Sequence, residues 1–205
     1  MLIPASLCDY MKNLVMLMSV LVLNACTSEK PKDGSVPLVI RTLEGDIHMA
    51  IYPQKAPLSS KAFLDLVDKD VYRDASFYRV MNMDNQSSDA PKAEFVQGGI
   101  WANKKKAGKL PLIPHEPTNK TGILHKTGTV SLARNEPGTA DSEFFICMDD
   151  QPGLDFGGEN NPDGQGYAAF GVVTRGMDIV RKIYSKPDTD QYLNKPVLIL
   201  SIERE

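Results

Sequence analysis

Most of this chain is a succession of short β-type runs divided by turn residues, with two stretches of helical spacing and no regular alternation of strand and helix. Leu38-Val39-Ile40 and Ile47-His48-Met49-Ala50-Ile51 flank Glu44-Gly45-Asp46, which reads as a hairpin. Further strands are predicted at 77–80, 95–98, 129–133, 144–147, 168–173 and 197–202. Phe63, Leu64, Leu66 and Val67 behind Ser59 and Ser60 predict a helix over about 59–69 with a serine N-cap. Met177, Ile179, Val180 and Ile183 predict a second helix over 175–184. A doubly wound parallel sheet needs βαβ units, so the pattern points to a mostly-β domain, a closed barrel with helices capping its ends.

Composition narrows the function more than the fold. Lys plus Arg is 23 against 26 for Asp plus Glu, a net charge of -3. A protein that coats nucleic-acid phosphates usually carries a basic excess, and the one short basic cluster, Lys104-Lys105-Lys106, reads as a solvated loop. No nucleic-acid partner is expected. At 205 residues with 42% apolar content, the chain buries enough surface to fold without metal or disulfide staples. The three cysteines, Cys8, Cys26 and Cys147, form no CxxC or Cys/His zinc spacing, and His48, His115 and His125 form no HExxH. His115-Glu116 is followed by Pro117, which breaks the helix that motif would need. No metal and no cofactor are expected.

The amino terminus reads as an export signal. Met11-Lys12 looks like a basic start, and Leu14 to Leu23 is an apolar run about half the length that spans a bilayer. It ends in Leu23-Asn24-Ala25-Cys26, which resembles a bacterial lipobox. That resemblance implies cleavage before Cys26, diacylation of its sulfur, and a lipid anchor strong enough for stable membrane attachment. The expected organisation is a signal peptide over 1–25, the lipidated cysteine and a flexible linker over 26–36, and a folded domain over 37–205. The expected location is the bacterial cell envelope, lipid-anchored and facing the periplasm. Cys147, inside Phe144-Phe145-Ile146-Cys147-Met148, reads as a small buried hydrophobe. The glycine-rich stretch 157–166 lacks the residues of a phosphate loop or a calcium loop and reads as a surface loop.

Six blocks then occur in a fixed order: Phe77-Tyr78-Arg79-Val80, Phe95-Val96-Gln97-Gly98-Gly99, Gly128 to Arg134 (GTVSLAR), Ser142-Glu143-Phe144-Phe145-Ile146, Leu154-Asp155, and Tyr167-Ala168-Ala169-Phe170-Gly171 with Gly176-Met177 beyond. Across about 38–204 this resembles the cyclophilin family of peptidyl-prolyl cis-trans isomerases. The resemblance implies a closed eight-stranded antiparallel β-barrel capped by two α-helices, with the substrate groove on its outer face. It implies proline-containing, exported or unfolded polypeptides as clients of a monomer. Arg79 matches the catalytic arginine. Gln97 matches the glutamine that hydrogen-bonds the substrate backbone. Phe145 matches the floor of the proline pocket, Leu154 and Tyr167 its walls, and Ala133 and Arg134 the strand edge beside the residue before proline. Glu143 stands where many members carry glutamine.

Four departures qualify the match. Arg79 and Gln97 are 18 positions apart, where the family usually keeps eight, so about ten residues (within MNMDNQSSDAPKA, 81–93) are inserted beside the groove. The insert puts Glu94 where the family has a pocket phenylalanine, so Phe95 is expected to supply that contact from a shifted register. Gly153 stands where many eukaryotic members carry tryptophan, and Tyr167 replaces their histidine. The other reading left open is a non-catalytic proline-peptide binding module on the same fold, with turnover spoiled by Glu94 and the insert. A carbohydrate-binding barrel would want several exposed aromatics, and the chain offers one tryptophan, Trp101.

Overall fold

A computed structural model describes residues 33–101 and 110–205. The leader, Cys26 and the lysines at 104–106 lie outside the described residues. Among the described residues nine strands run in chain order: β1 Val36–Thr42, β2 Gly45–Ile51, β3 Ala75–Met81, β4 Phe95–Gly99, β5 Thr129–Leu132, β6 Phe144–Cys147, β7 Ala168–Arg175, β8 Asp188–Thr189 and β9 Tyr192–Arg204. The helices are α1 Pro57–Asp68, the single turn α2 Thr118–Thr121 and α3 Met177–Tyr184. The sheet order is β1-β2-β7-β5-β6-β4-β3-β9, every pairing is antiparallel, and β9 pairs back onto β1. Eight strands thus close into a barrel, and two-residue β8 only extends β9 as a hairpin.

The interior is filled by side chains, as a barrel of eight strands requires. Leu38, Ile40, Ile47, Met49, Phe77, Val96, Phe144, Ile146, Phe170 and Ile199 are buried in one continuous core. The two larger helices close opposite ends of β2. α1 follows its C-terminal end and lowers Phe63 into a cluster with Tyr72, Phe144 and Phe170, ring centroids 4.9–5.5 Å from Phe63. α3 covers its N-terminal end, with Val180 and Ile183 buried and Ile179 against Gly45.

Several local expectations shift. The first hairpin turns at Leu43-Glu44, with Thr42 paired to Gly45, because Thr42 Oγ1 accepts the Glu44 N–H and donates to Gly45 O. α1 starts at Pro57 and no serine caps it. Its free N-terminal amides are met by Glu116, from a loop far along the chain: Leu58 N and Ser59 N donate to its two carboxylate oxygens at 3.2 and 2.8 Å. A helix leaves its first amides without internal partners, and a buried carboxylate satisfies them and complements the helix dipole. β1 begins at Val36, at the end of the expected linker.

Phe63→Ala removes the ring at the centre of the α1 end. Cavity-forming changes of this kind cost about 3–5 kcal/mol. The expected result is a drop of that size in the urea unfolding free energy; a loss under 1 kcal/mol would mean that the end of the barrel repacks freely.

Candidate active site

Strands of a closed barrel alternate between inside and outside, and β6 uses both faces. Phe144 and Ile146 point into the core, while Phe145 and Cys147 join a second, outer cluster with Ala93, Phe95 and Leu154. Met81, Ala133 and Tyr167 pack on this cluster. Phe95 lies against Phe145 with centroids 4.8 Å apart, and Tyr167 meets Phe145 edge-on at 5.3 Å. Together they line an open groove of about 340 Å³ whose walls include Arg79, Gln97, Ala133, Arg134 and Glu143.

The groove depends on a bulge in β3. Phe77 pairs with Gly98 and Arg79 pairs with Gln97, so Tyr78 is an extra residue on its strand. A bulge breaks strict alternation and re-aims side chains. Phe77 and Val80 are both fully buried, while Tyr78 and Arg79, adjacent in sequence, both reach the groove. Phe95 and Gln97 sit two apart on β4 and share that face. The shifted register expected for Phe95 is thereby accommodated, and Glu94 takes no part: its carboxylate accepts a hydrogen bond from Tyr184 at the end of α3 (2.6 Å).

Across the outer face runs a chain of hydrogen bonds. Arg79 Nη1 donates to Gln97 Oε1 at 3.0 Å. Gln97 Nε2 donates to the Tyr78 hydroxyl at 2.6 Å, and that hydroxyl donates to Glu143 Oε2 at 2.7 Å. Every donor points the same way, toward the carboxylate, so each bond polarises the next. Glu143 is largely buried, and burial pushes its carboxyl above the ordinary 4.5 despite hydrogen bonds from Tyr78 and Ser142. Burial, followed by the nearby Glu143 charge, pushes the Tyr78 hydroxyl well above its usual range, so it remains a donor. The Arg79 guanidinium also lies 5.8 Å over the Phe95 ring, at the lip of the aromatic pocket.

Arg134 holds one wall. Its guanidinium is inside the protein, forks onto Asp163 at 2.7 and 2.9 Å, and lies 5.3 Å over Tyr167. That pins the 157–166 loop beside the groove. Ala133 N is committed to Glu143 O (2.8 Å), so the edge expected to pair with substrate offers no donor there. Leu154 closes a 3₁₀ turn, Pro152–Leu154, and lies buried in the outer cluster with Phe95 and Phe145. A side chain in place of Gly153 would have to displace the Asn160 amide. A Cβ there would meet Asn160 Oδ1, and Asn160 reaches on to Pro91 O and Lys92 O of the insert. Cys147 is fully buried, and burial drives its thiol far above its ordinary range.

Sequence reasoning assigned no role to Tyr78, Trp101, His125, Ser131, Asp155, Gln191 or Tyr192. Trp101 and Tyr192, half exposed, stack with Tyr78 at one end of the groove, with centroids 5.2–6.4 Å apart. Under the floor, His125 bonds Asp155 Oδ1 through Nδ1 (2.7 Å) and Ser131 Oγ through Nε2 (2.9 Å). The arrangement has the connectivity of a nucleophilic triad, but Ser131 is 0% exposed and the imidazole stacks flat beneath Phe145 at 5.9 Å. It is a sealed polar prop. Burial pushes the Asp155 carboxyl up, and hydrogen bonds from the His125 ring and backbone outweigh that and hold it below its ordinary value. Among the described residues, no group of three or more His, Cys, Asp or Glu is placed to hold a metal ion.

Comparison with known proteins bears on the family and the fold. The family model "Cyclophilin type peptidyl-prolyl cis-trans isomerase/CLD" matches residues 37–204. The chain is 33% identical over 195 residues to peptidyl-prolyl cis-trans isomerase A of Dickeya dadantii, covering 92% of this chain and 94% of that protein. It is 36% identical over 149 residues to peptidyl-prolyl cis-trans isomerase B of Escherichia coli, covering 71% and 82%. A solved Cryptosporidium parvum cyclophilin superposes with a TM-score of 0.64 at 20% identity, covering 83% of this chain and 98% of that one, which shows the shared fold.

Burial of Glu143 sets a pH test. Its folded value is raised, so between the unfolded value near 4.5 and the raised one the folded state holds more protons, and its contribution to stability falls as pH rises through that window. In Glu143→Gln that component is absent. Urea unfolding from pH 4 to 8 should therefore show the variant gaining on the parent as pH rises; parallel profiles would contradict burial as the dominant influence.

Proposed function

This chain belongs to the cyclophilin-type peptidyl-prolyl cis-trans isomerases and is an enzyme of that class, and we propose that Arg79 is its catalytic group, acting on X-Pro bonds of exported or unfolded polypeptides. Rotation about an X-Pro bond crosses a barrier of about 20 kcal/mol because it breaks amide resonance. In the planar ground state the prolyl nitrogen shares its lone pair with the carbonyl and accepts hydrogen bonds poorly. Twisting localises that pair. A donor fixed against the nitrogen therefore binds the twisted state better than either isomer, which is the condition for catalysis.

The observation that carries this reading is the Arg79 guanidinium at the lip of a pocket walled by Phe95, Phe145 and Tyr167. A proline ring is apolar and suits such a pocket. Arginine stays charged at any working pH and holds its donors in a rigid plane. A related Cryptosporidium parvum cyclophilin was solved in the presence of the dipeptide Ala-Pro, and the same ligand class suits this groove. Glu94, one of the two features that favoured a binding module, weighs less once it turns to Tyr184 and Phe95 joins the pocket. A lipid on Cys26 would hold the enzyme in the bacterial envelope, facing newly exported chains.

In a coupled assay on an Ala-Pro-Phe peptide, Arg79→Ala should lower kcat/KM by about a hundredfold or more, the scale typical of removing one transition-state donor. Activity within twofold of the parent would refute the role of Arg79. Cys26→Ser, expressed in a bacterial host, should shift the protein from the membrane fraction to the soluble fraction. If the parent is itself soluble, the anchor does not exist.

A further inference from the structure

We propose that Gln191, braced by the inserted loop, is a positioning residue that aims Arg79, a reading that rests on Arg79 being the catalytic donor. A guanidinium carries five N–H groups. Among the described residues, Arg79 Nε and Nη2 both donate to Gln191 Oε1, at 3.0 and 2.5 Å. Nη2 also donates to Met81 Sδ at 3.3 Å, and Nη1 to Gln97 Oε1 at 3.0 Å. Four N–H groups are thus engaged and one, on Nη1, remains for substrate. Gln191 takes the Nε edge of the fork and Gln97 takes Nη1, so the plane of the guanidinium is held from two sides.

Gln191 is in an expensive place to put a glutamine. It and Asp190 form the two-residue turn between β8 and β9, and both have positive φ, +74° and +52°. Such turns favour glycine or asparagine because a longer side chain strains the left-handed backbone. Strain of this kind tends to persist where the side chain has work to do. Here the side chain reaches back to Arg79, and the turn is tied down around it. Gln191 O accepts from Val80 N (2.8 Å), and Gln191 N donates to Asp188 Oδ1 (3.1 Å). Gln191 Nε2 donates to Asn85 O of the insert at 3.2 Å, which fixes the amide with its oxygen toward Arg79. Asn85 is anchored in turn: its Nδ2 donates to Val80 O and Asp188 Oδ1, at 3.0 and 3.1 Å. The residues inserted between Arg79 and Gln97 therefore buttress the arginine from behind.

The turn strain separates positioning from mere stability. Gln191→Gly removes the side chain while relaxing the backbone, so the melting temperature should hold or rise. Positioning predicts that kcat nevertheless falls about tenfold with KM within twofold, since a misaimed group loses rate more than binding. Gln191→Glu keeps the acceptor oxygens and should recover most of that loss. In an Arg79→Ala background, Gln191→Gly should cost nothing further, because the residue acts only through the arginine. If Arg79→Ala is inactive but Gln191→Gly retains the parent kcat, this proposal falls and the role of Arg79 stands. A further loss of rate in the Arg79→Ala background overturns it as well. Full activity in Arg79→Ala removes the premise and the proposal together.

Discussion

Pairing of β1 with β9, from Leu38 opposite Arg204 to Thr42 opposite Ile199, turns a sheet with two edges into a closed barrel. The rest of the molecule adapts to that closure. Eight strands leave an interior just wide enough for side chains, and here aliphatic and aromatic groups fill it. No substrate can enter such a barrel. The binding surface must form on the outside, where a sheet would ordinarily meet water. It does so because β6 is apolar on both faces: Phe144 and Ile146 serve the core, and Phe145 and Cys147 found a second cluster on the outer wall.

An outer groove needs polar groups held as firmly as core residues. The bulge at Tyr78 places two neighbouring polar side chains on one face without surrendering Phe77 or Val80 from the core. The chain from Arg79 through Gln97 and Tyr78 to Glu143 then spans from a fixed cation to a buried carboxylate. Held donors need little rearrangement when charge shifts during the reaction, which is why a preorganised site outperforms water. Behind the aromatic floor, the His125–Asp155–Ser131 prop plays the same part for Phe145.

Loops far apart in sequence supply much of this rigidity. Glu116 closes the amino end of α1, Asn160 ties the 157–166 loop to the insert across Gly153, and Arg134 anchors that loop to the groove wall. The insert is part of the scaffold: Gln86 and Lys92 knit it internally, and Asn85 joins it to the β8–β9 turn. What looked in sequence like an intrusion beside the groove is built into its support.

The eight barrel strands, the two main helices and the groove residues from Arg79 to Tyr167 were readable from residue order, because periodicity reports which face of an element is apolar and the matched blocks kept their order; the short β8 was not. The sequence likewise showed that Cys147 belongs to a buried strand. Partners brought in by folding were not readable. Glu116 caps a helix 57 residues away, and Gln191 meets an arginine 112 residues away; no local pattern encodes such distances. The bulge that carries Tyr78 and Arg79 to one face also leaves no trace in alternation, for it exists only as a mismatch between β3 and the strands paired with it. Apolar spacing along a chain fixes which faces are buried, whereas the aim of a side chain depends on register between strands, and register exists only once the barrel has closed.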